Sequence, residues 1–222
     1  MIKGFFKEIR SIPAIILTIF CLTIVIMNVL ANKTIFQNEF IALDGGIVIT
    51  WVVILLNDLV TTVYGPRKTI CMAIFGTFVS LVTSLIFYLV SIIPSSGQFE
   101  EFSKFIGGTW FIVVSGAIAF ILSSSLNAVL NVTIGRAFKK NPNSKLALLV
   151  RNDLSTLVSQ IFDNFVFNCL AFMVFAPLFW NGFKWTPVQC ICCALVYGAI
   201  ELFIETILFP LFHKIYRFLK SK

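Results

Sequence analysis

Four acidic residues interrupt stretches of the chain that are otherwise apolar: Asp58, Asp163, Glu201 and Glu205. A carboxylate can bind a cation, accept hydrogen bonds from N–H groups or carry a proton. No Lys or Arg lies within these stretches to neutralise the acids. In lipid each ionised carboxylate would cost about 2.5 to 3.5 kcal/mol. We therefore expect the acids to face a protein interior, either protonated or matched by a cationic ligand.

The elements that carry these acids are long apolar runs. Each run approaches the length of about 20 residues that a helix needs to cross a bilayer. The composition agrees, because 59% hydrophobic and only 12% charged residues leave too little polar surface for a soluble domain of 222 residues. The sequence predicts one all-α transmembrane domain over residues 1–222, with spans at Pro13–Ala31, Ile41–Val63, Thr69–Ile93, Thr109–Ile134, Leu154–Ala176 and Pro187–Phe212.

Basic residues predict the orientation of these spans, since cytoplasmic loops collect Lys and Arg. One set of alternate segments holds fourteen of them, at 3, 7, 10, 67, 68, 136, 139, 140, 145, 151, 214, 217, 220 and 222. The opposite set holds only Lys33, Lys104 and Lys184. This asymmetry predicts six spans in the cytoplasmic membrane with both termini in the cytoplasm. The net charge of +7 is thus mostly a matter of topology.

Other classes of site have weaker support in the sequence. No nucleic-acid-binding motif accompanies the basic residues, so no nucleic-acid partner is expected. The first span lacks a small-residue cleavage site after it, and we interpret it as a retained helix. The cysteines lie within spans and are expected to behave as small apolar residues. Because they lack a nearby histidine or a second ligand pair, we expect no metal, and no motif indicates another cofactor. His213, the single histidine, is expected to cap or flank the last span.

Polar side chains form faces on three of the spans. In span 6, residues recur every four positions and make one stripe: Gln189, Cys193, Tyr197, Glu201 and Glu205. Span 5 has two adjoining rows: Ser155, Ser159, Asp163 and Phe167, beside Thr156, Gln160, Asn164 and Asn168. Span 2 contributes Thr50, Asn57, Asp58, Thr61 and Thr62. These faces predict a small polar cavity between spans 2, 5 and 6, although serine and threonine also hydrogen-bond from helix to helix in membranes.

A short internal likeness indicates a duplication. Asn28 and Asn32 close span 1, while Asn127 and Asn131 close span 4 at the same spacing. With three spans in each half, such a repeat would be inverted in the membrane, an architecture that places transporter sites at the repeat interface.

Asp58 is the weaker candidate among the acids, because Arg67 or Lys68 could reach it from the next loop.

The segment Asn57–Arg67 ends in a turn, since Gly65 and Pro66 break the helix and Arg67 anchors it at the headgroups. The residue pattern of this segment places Asp58 six residues before Tyr64-Gly65 and Arg67 two residues after. This pattern resembles the signature of the queuosine precursor transporters, also known as vitamin uptake transporters. The stretches 28–33 and 151–172 resemble that family's first and fifth helices, and Ser155, Thr156, Gln160 and Asp163 fall at matching places.

The resemblance implies import of 7-deazaguanine bases, which are preQ0, preQ1 or queuine, for tRNA modification. A nucleobase-like substrate needs polar groups at its edges and an aromatic wall for stacking. Asp163, Gln160 and Asn164 are expected at the edges, and Phe167, Tyr197 or Trp51 at the wall. Asn28, Asn57, Asp58, Ser155, Thr156, Glu201 and Glu205 complete the expected binding set, with Tyr64, Gly65 and Arg67 as the structural turn.

One departure from the resembled family concerns specificity. Its members often carry a lysine in helix six, nine residues before a proline, whereas this chain has Glu201 nine residues before Pro210. A reversed charge suits the cationic aminomethyl group of preQ1, or the amine of queuine, better than neutral preQ0.

Several alternatives stay open at this stage. Without a Walker A motif the chain does not hydrolyse ATP itself, which leaves proton coupling, facilitated diffusion with metabolic trapping, or a substrate-binding subunit of a larger importer. The substrate could also be another small vitamin-like molecule. A membrane enzyme using Glu201 and Glu205 is disfavoured by the lack of a nucleophile or His-Glu-x-x-His motif. A homodimer is compatible with the sequence, but no Gly-x3-Gly face specifies one.

Overall fold

The computed structural model describes residues 2–94, 100–137, 145–180 and 182–220. Helices make up most of this part of the chain, with one short hairpin of two strands. The elements are α1 (Ile2–Arg10), α2 (Ala14–Leu30), β1 (Thr34–Gln37), β2 (Ala42–Asp44), α3 (Ile47–Tyr64), α4 (Pro66–Ser91), α5 (Glu100–Gly107), α6 (Thr109–Ala137), α7 (Lys145–Asn168), a π-helix (Cys169–Phe175), α8 (Ala176–Phe179) and α9 (Pro187–Lys220).

Five helical stretches among the described residues are long and apolar enough to cross a membrane: Ile47–Tyr64, Pro66–Ser91, Glu100–Ile134, Leu154–Phe179 and Pro187–Leu208. The remaining prediction, span 1 at Pro13–Ala31, corresponds to α2, whose 17 residues reach about 25 Å, the lower end of what a crossing needs. It passes the same criteria only together with Gly4–Arg10, from which it is bent by 102°. An all-α polytopic membrane protein with five or six candidate spans is thus confirmed, while the exact number of spans, the cytoplasmic termini and the inverted repeat stay predictions.

The bend between α1 and α2 follows from local sequence. Pro13 precedes α2 with φ −53° and ψ 130°, and it disfavours a helical conformation for the residue before it. The Ser11 hydroxyl donates to the carbonyl oxygen of Glu8 at 2.6 Å, which satisfies an acceptor at the end of α1. The chain therefore breaks between a basic amphipathic helix and an apolar one.

Span 2 begins later than predicted. The sequence places its start at Ile41, but α3 starts at Ile47, because β2 and the pair Gly45-Gly46 occupy the intervening residues. The strands β1 and β2 pair in a two-stranded sheet. The Gly45 amide donates to the carbonyl of Lys33 at 2.7 Å, and the Asn38 amide donates to that of Ile41 at 2.7 Å. The apolar residues here thus belong to a hairpin instead of a membrane helix.

The chain divides into two compact units. The first comprises residues 1–36, 43–113 and 200–222. Its core is formed by α2, α3 and α4 with the segment before α2, and contains Ile12, Ile16, Phe20, Leu56, Leu59, Val60 and Met72. At Gly76 of α4, an added Cβ would lie 2.8 Å from Phe20 Cε1 and 2.8 Å from Ile24 Cδ1, so α2 and α4 approach closely there.

A tight turn joins α3 to α4 within the first unit. Gly65 adopts φ 93°, a conformation that favours glycine, and Pro66 follows at the first position of α4. The hydroxyls of Thr61 and Thr69 lie 2.8 Å apart across the turn, and Lys68 Nζ sits 5.4 Å from the centre of the Tyr64 ring. These contacts fix the turn where the sequence places it, with Arg67 exposed beside them.

The second unit comprises residues 37–42 and 114–199. It contains most of α6, all of α7 and the first part of α9. An added Cβ at Gly198 of α9 would lie 2.8 Å from Ile161 Cγ1 of α7, so these two helices are in close contact. The Trp185 ring stacks on Phe172 of the π-helix with centroids 3.9 Å apart and a tilt of 19°. Trp185 is fully buried and closes the loop before α9.

Candidate functional site

The best-defined polar contact of the second unit joins α6 to α7. The Ser123 hydroxyl donates to Asp163 Oδ1 at 2.6 Å, a short distance typical of hydrogen bonds to a charged acceptor. Ser123 is buried, and Asp163 is half-buried. The same hydroxyl lies 3.1 Å from the carbonyl oxygen of Phe120. The predicted acid of span 5 therefore sits inside the helical unit with a polar partner.

The rest of α7 presents a graded polar surface around Asp163. Ser155 and Ser159 are buried, whereas Thr156 is exposed. The other predicted contact residues on this helix, Gln160, Asn164 and Phe167, are half-buried. Phe167 also packs edge-on against Phe172, with ring centroids 5.9 Å apart. One helix thus brings acceptors, amides and an aromatic ring within three turns of one another.

Several buried polar atoms in the described part of the second unit have no hydrogen-bond partner. They are Ser115 Oγ, Asn127 Oδ1, Ser159 Oγ, Asn168 Nδ2 and Oδ1, and Trp185 Nε1. Such groups are rare in folded proteins because each costs roughly 1 to 3 kcal/mol. Such atoms mark places where a buried water completes the hydrogen bonding.

The start of α9 uses Gln189 and Cys193, two residues of its polar stripe, to hold the hairpin. Gln189 Oε1 accepts from the Thr186 amide at 2.8 Å and the Gln189 amide donates to Thr186 Oγ1 at 3.2 Å, a capping box. Gln189 Nε2 donates to the carbonyl oxygen of Asn38 at 2.6 Å. Cys193 Sγ accepts from the Ala42 amide at 3.0 Å and its thiol donates to the Ala42 carbonyl. The expectation that the cysteines act only as small apolar residues is therefore wrong for Cys193.

Tyr197 is buried on the same helix, and Glu201 one turn later is half-buried. The side chain of Glu205, like that of His213, lies outside the described residues. No group of three or more His, Cys, Asp or Glu able to hold a metal lies in the part of the chain that the structure describes.

The candidates of the first unit fall into different environments. Asp58 of α3 is exposed, and its neighbour Asn57 is half-buried with Oδ1 lacking a partner. Asn28 of α2 is buried, and its Nδ2 donates to Ser80 Oγ of α4 at 3.4 Å. Asn32 Nδ2 lies 3.0 Å from Thr109 Oγ1. Asn28 thus makes the kind of contact by which polar residues join helices in membranes.

Sequence reasoning missed Ser123. It belongs to the run Ser123-Ser124-Ser125 inside a span, and such a run indicates a polar patch on α6. Its three members differ only in which face of the helix they occupy. The contact with Asp163 is what singles one of them out, and a single sequence carries no signal for that pairing.

Apolar helices of membrane-spanning length, with a carboxylate held between two of them, are typical of multi-pass membrane proteins that bind polar solutes or protons. The chain matches the family described as "Putative vitamin uptake transporter" over residues 44–215. Since that match spans most of the sequence, the chain belongs to this family of multi-pass transporters of the cell membrane. Asn28 lies outside the matched range.

A curated relative from Bacillus subtilis (strain 168), named "Probable queuosine precursor transporter", is 30% identical to the chain over 126 residues. The aligned part covers 54% of this chain and 52% of the relative, so the chain spans about half the length of that protein. No solved structure matches the chain.

Proposed function

We propose that the protein imports queuosine precursors, the bases preQ0 and preQ1 or queuine, for salvage into tRNA. The observation that carries the proposal is membership of the uptake transporter family, joined to a relative named for queuosine precursors. The half-buried carboxylate of Asp163, held by Ser123 at 2.6 Å, supplies the chemistry. A carboxylate inside a membrane protein indicates function more often than stability, because its burial is costly.

The substrate contacts follow from the chemistry of α7. A 7-deazaguanine base presents a carbonyl, a ring N–H and an exocyclic amine along one edge, so it needs both donors and acceptors. In our proposal Asp163 accepts from N–H groups, while the amides of Gln160 and Asn164 supply both polarities. Phe167 and Tyr197 provide flat apolar surface for the ring. The predicted cavity between spans 2, 5 and 6, with Ser155, Thr156, Asn57 and Asp58, stays a prediction.

Glu201 sets the preference among bases in this proposal. It stands where the resembled transporters often have a lysine, and it is half-buried. An anionic side chain attracts the ammonium group of preQ1 and offers nothing comparable to the nitrile of preQ0. We therefore propose that cationic bases are taken up in preference to neutral ones.

The test is genetic complementation in a bacterium that lacks both queuosine synthesis and its own importer. Cells expressing the chain are fed each base at low concentration, and their tRNA is assayed for queuosine. We expect modified tRNA with the chain and none with the empty vector. Unmodified tRNA with every base, in cells whose membranes contain the protein, would remove the proposal.

A carrier for another vitamin-like molecule, or the substrate-binding subunit of a larger importer, is the second candidate. The description of the matched family as vitamin uptake transporters favours it. Purified protein alone in liposomes distinguishes a self-sufficient carrier from a binding subunit. A carrier moves the base across the membrane without other subunits, whereas a binding subunit only binds it.

A further inference from the structure

Two polar rows face each other between α6 and α7. The Ser123–Asp163 contact fixes the register of these helices. A Cβ added at Gly116 would lie 4.0 Å from Phe167 Cδ2, so residue numbers fall along α6 as they rise along α7, and the helices are antiparallel. Asn127 lies one turn after Ser123 on α6, and Ser159 lies one turn before Asp163 on α7. Residues four apart share a helix face, so these two also lie at the contact.

The Ser123 hydroxyl can serve either protonation state of Asp163. It lies 2.6 Å from Asp163 Oδ1 and 3.1 Å from the carbonyl oxygen of Phe120, but it has one proton to donate. When Asp163 is ionised, the serine donates to the carboxylate. When Asp163 is protonated, the acid donates to Ser123 Oγ and the serine turns its proton to Phe120. The Ser123–Asp163 hydrogen bond is thus kept in either state.

Asn127 and Ser159 do not find all of their hydrogen-bond partners within the described protein. Asn127 Oδ1 and Ser159 Oγ are buried without a partner, and Ser159 as a whole is only 6% exposed. Asn127 Oδ1 accepts and a serine hydroxyl both donates and accepts, so a single water between them can bond to both. Buried water in proteins commonly fills this role.

We infer that α6 and α7 form a proton-binding site in which Asp163 takes up a proton through water held by Asn127 and Ser159. In that step a hydronium ion at the bridging water gives one proton to an Asp163 oxygen, so one O–H bond breaks and one forms. A neutral carboxylic acid and a neutral water remain.

Coupling of this proton to substrate rests on the proposed function. A neutral carboxylic acid offers a donor and an acceptor side by side, which matches a base edge with a carbonyl next to a ring N–H. An ionised carboxylate would meet that carbonyl with a second acceptor. The base and the proton therefore favour each other's binding, and the transporter moves them together.

Among the described side chains of the second unit, α6 carries no titratable group, the π-helix begins at Cys169, and the loop before α9 carries Lys184, which is exposed. The part of α9 in this unit carries Cys190, Cys192, Cys193 and Tyr197, with Glu201 one turn further on, and the hairpin tip carries Glu39, which is exposed. On α7 itself, Arg151 and Asp153 have side chains outside the described residues. The titration is therefore best followed at Asp163 directly.

Infrared difference spectroscopy of the purified protein across a pH series tests the site without substrate. We expect a carboxylic acid band that appears on acidification and is absent in Asp163→Asn. Ser159→Ala should shift this band, because the water between Asn127 and Ser159 loses the serine hydroxyl as a hydrogen-bond partner. Ser115→Ala is the matched control, since Ser115 is equally buried and unpartnered but lies two turns to the other side of Ser123. A missing band, or a band unmoved by Ser159→Ala, would overturn the site.

Proteoliposomes that contain a trapped pH dye test the coupling. Addition of preQ1 outside should acidify the lumen. A pH gradient with the acidic side outside should accelerate entry of the base. Ser159→Ala should slow the gradient-driven entry about tenfold through loss of one buried hydrogen bond, and Ser115→Ala should match the wild type. Base entry without acidification overturns the coupling alone. No base entry with an intact infrared band means that the proposed function fails while the proton site stands.

Discussion

Each of the two units contains a polar contact between side chains of different helices, and these two contacts differ in charge and completeness. In the first unit the Asn28 amide reaches Ser80 across α2 and α4 at 3.4 Å. In the second unit Ser123 reaches Asp163 across α6 and α7 at 2.6 Å. The first contact is neutral and long. The second is short and includes an acid, and one turn along each helix lie Asn127 and Ser159, which have buried atoms without partners.

This difference teaches how to separate structural from functional polarity in a membrane protein. A neutral pair such as Asn28–Ser80 can be explained by helix association alone. An acid with unsatisfied neighbours costs stability, and such costs concentrate where a site must bind or move charge. In our proposal, the first contact serves helix packing and the second serves transport.

The largest expected effect is on the rate of preQ1 uptake, which should differ between variants of Asp163 in the second unit and Asp58 in the first. Asp163→Asn should lower the initial rate of preQ1 uptake by roughly 10- to 100-fold, the range that loss of a hydrogen bond to a charged group produces. Asp58→Asn should lower it less, because Asp58 is exposed. Membrane vesicles with matched protein amounts and labelled base give both rates. An equal or greater loss for Asp58→Asn would reverse the comparison.

Substitution of Glu201 tests the preference for charge. Glu201→Gln keeps the size of the side chain and removes its charge, so uptake of preQ1 should fall about tenfold while uptake of preQ0 changes little. The ratio of the two rates in the same vesicles is the measurement. Equal loss for both bases would show that Glu201 does not discriminate by charge.

Two serine variants compare the contacts themselves. Ser123→Ala should change the dependence of uptake on external pH, because Asp163 loses the partner that serves both of its protonation states. Ser80→Ala should leave that pH profile unchanged and lower thermal stability by about 0.5 to 1.5 kcal/mol, the value of one neutral hydrogen bond. A pH profile shifted by Ser80→Ala would place the Asn28 contact in the transport pathway.

The smallest effects concern the helix contacts that frame both regions. Gly76→Ala should lower the melting temperature in detergent more than Gly198→Ala, because Gly76 faces two side chains at 2.8 Å and Gly198 faces one. Overpacking of this kind costs about 1 to 3 kcal/mol. Combining Gly198→Ala with Ile161→Ala should recover part of the loss. Gly4→Ala, which meets nothing within 4 Å, is the control that should not destabilise.

Much of the fold follows from apolar length, which places α2, α4, α6 and the α7–α8 stretch close to their predicted positions. The remaining elements have other causes. Helix α1 is short and basic, the hairpin interrupts an apolar run at Gly45-Gly46, and α5 carries its charges at a span edge. None of these features produces a run of twenty apolar residues, so a search for membrane spans passes over them.

The candidate site can be predicted in part for the same reason. An acid without a basic residue in the same apolar stretch stands out, so the sequence predicts Asp163 as a site residue. Ser123, Trp185 and the buried amide of Asn168 gain their meaning from tertiary contacts, such as the stacking of Trp185 on Phe172. Serine and asparagine are common in membrane helices, so residue type alone cannot mark them.

Transport of labelled preQ1 by the purified chain in liposomes tests the central claim most directly. The account predicts entry of the base well above that of empty liposomes, competition by unlabelled preQ1, and loss of entry in Asp163→Asn. Entry no faster than into empty liposomes, with folded wild-type protein in the membrane, would contradict it.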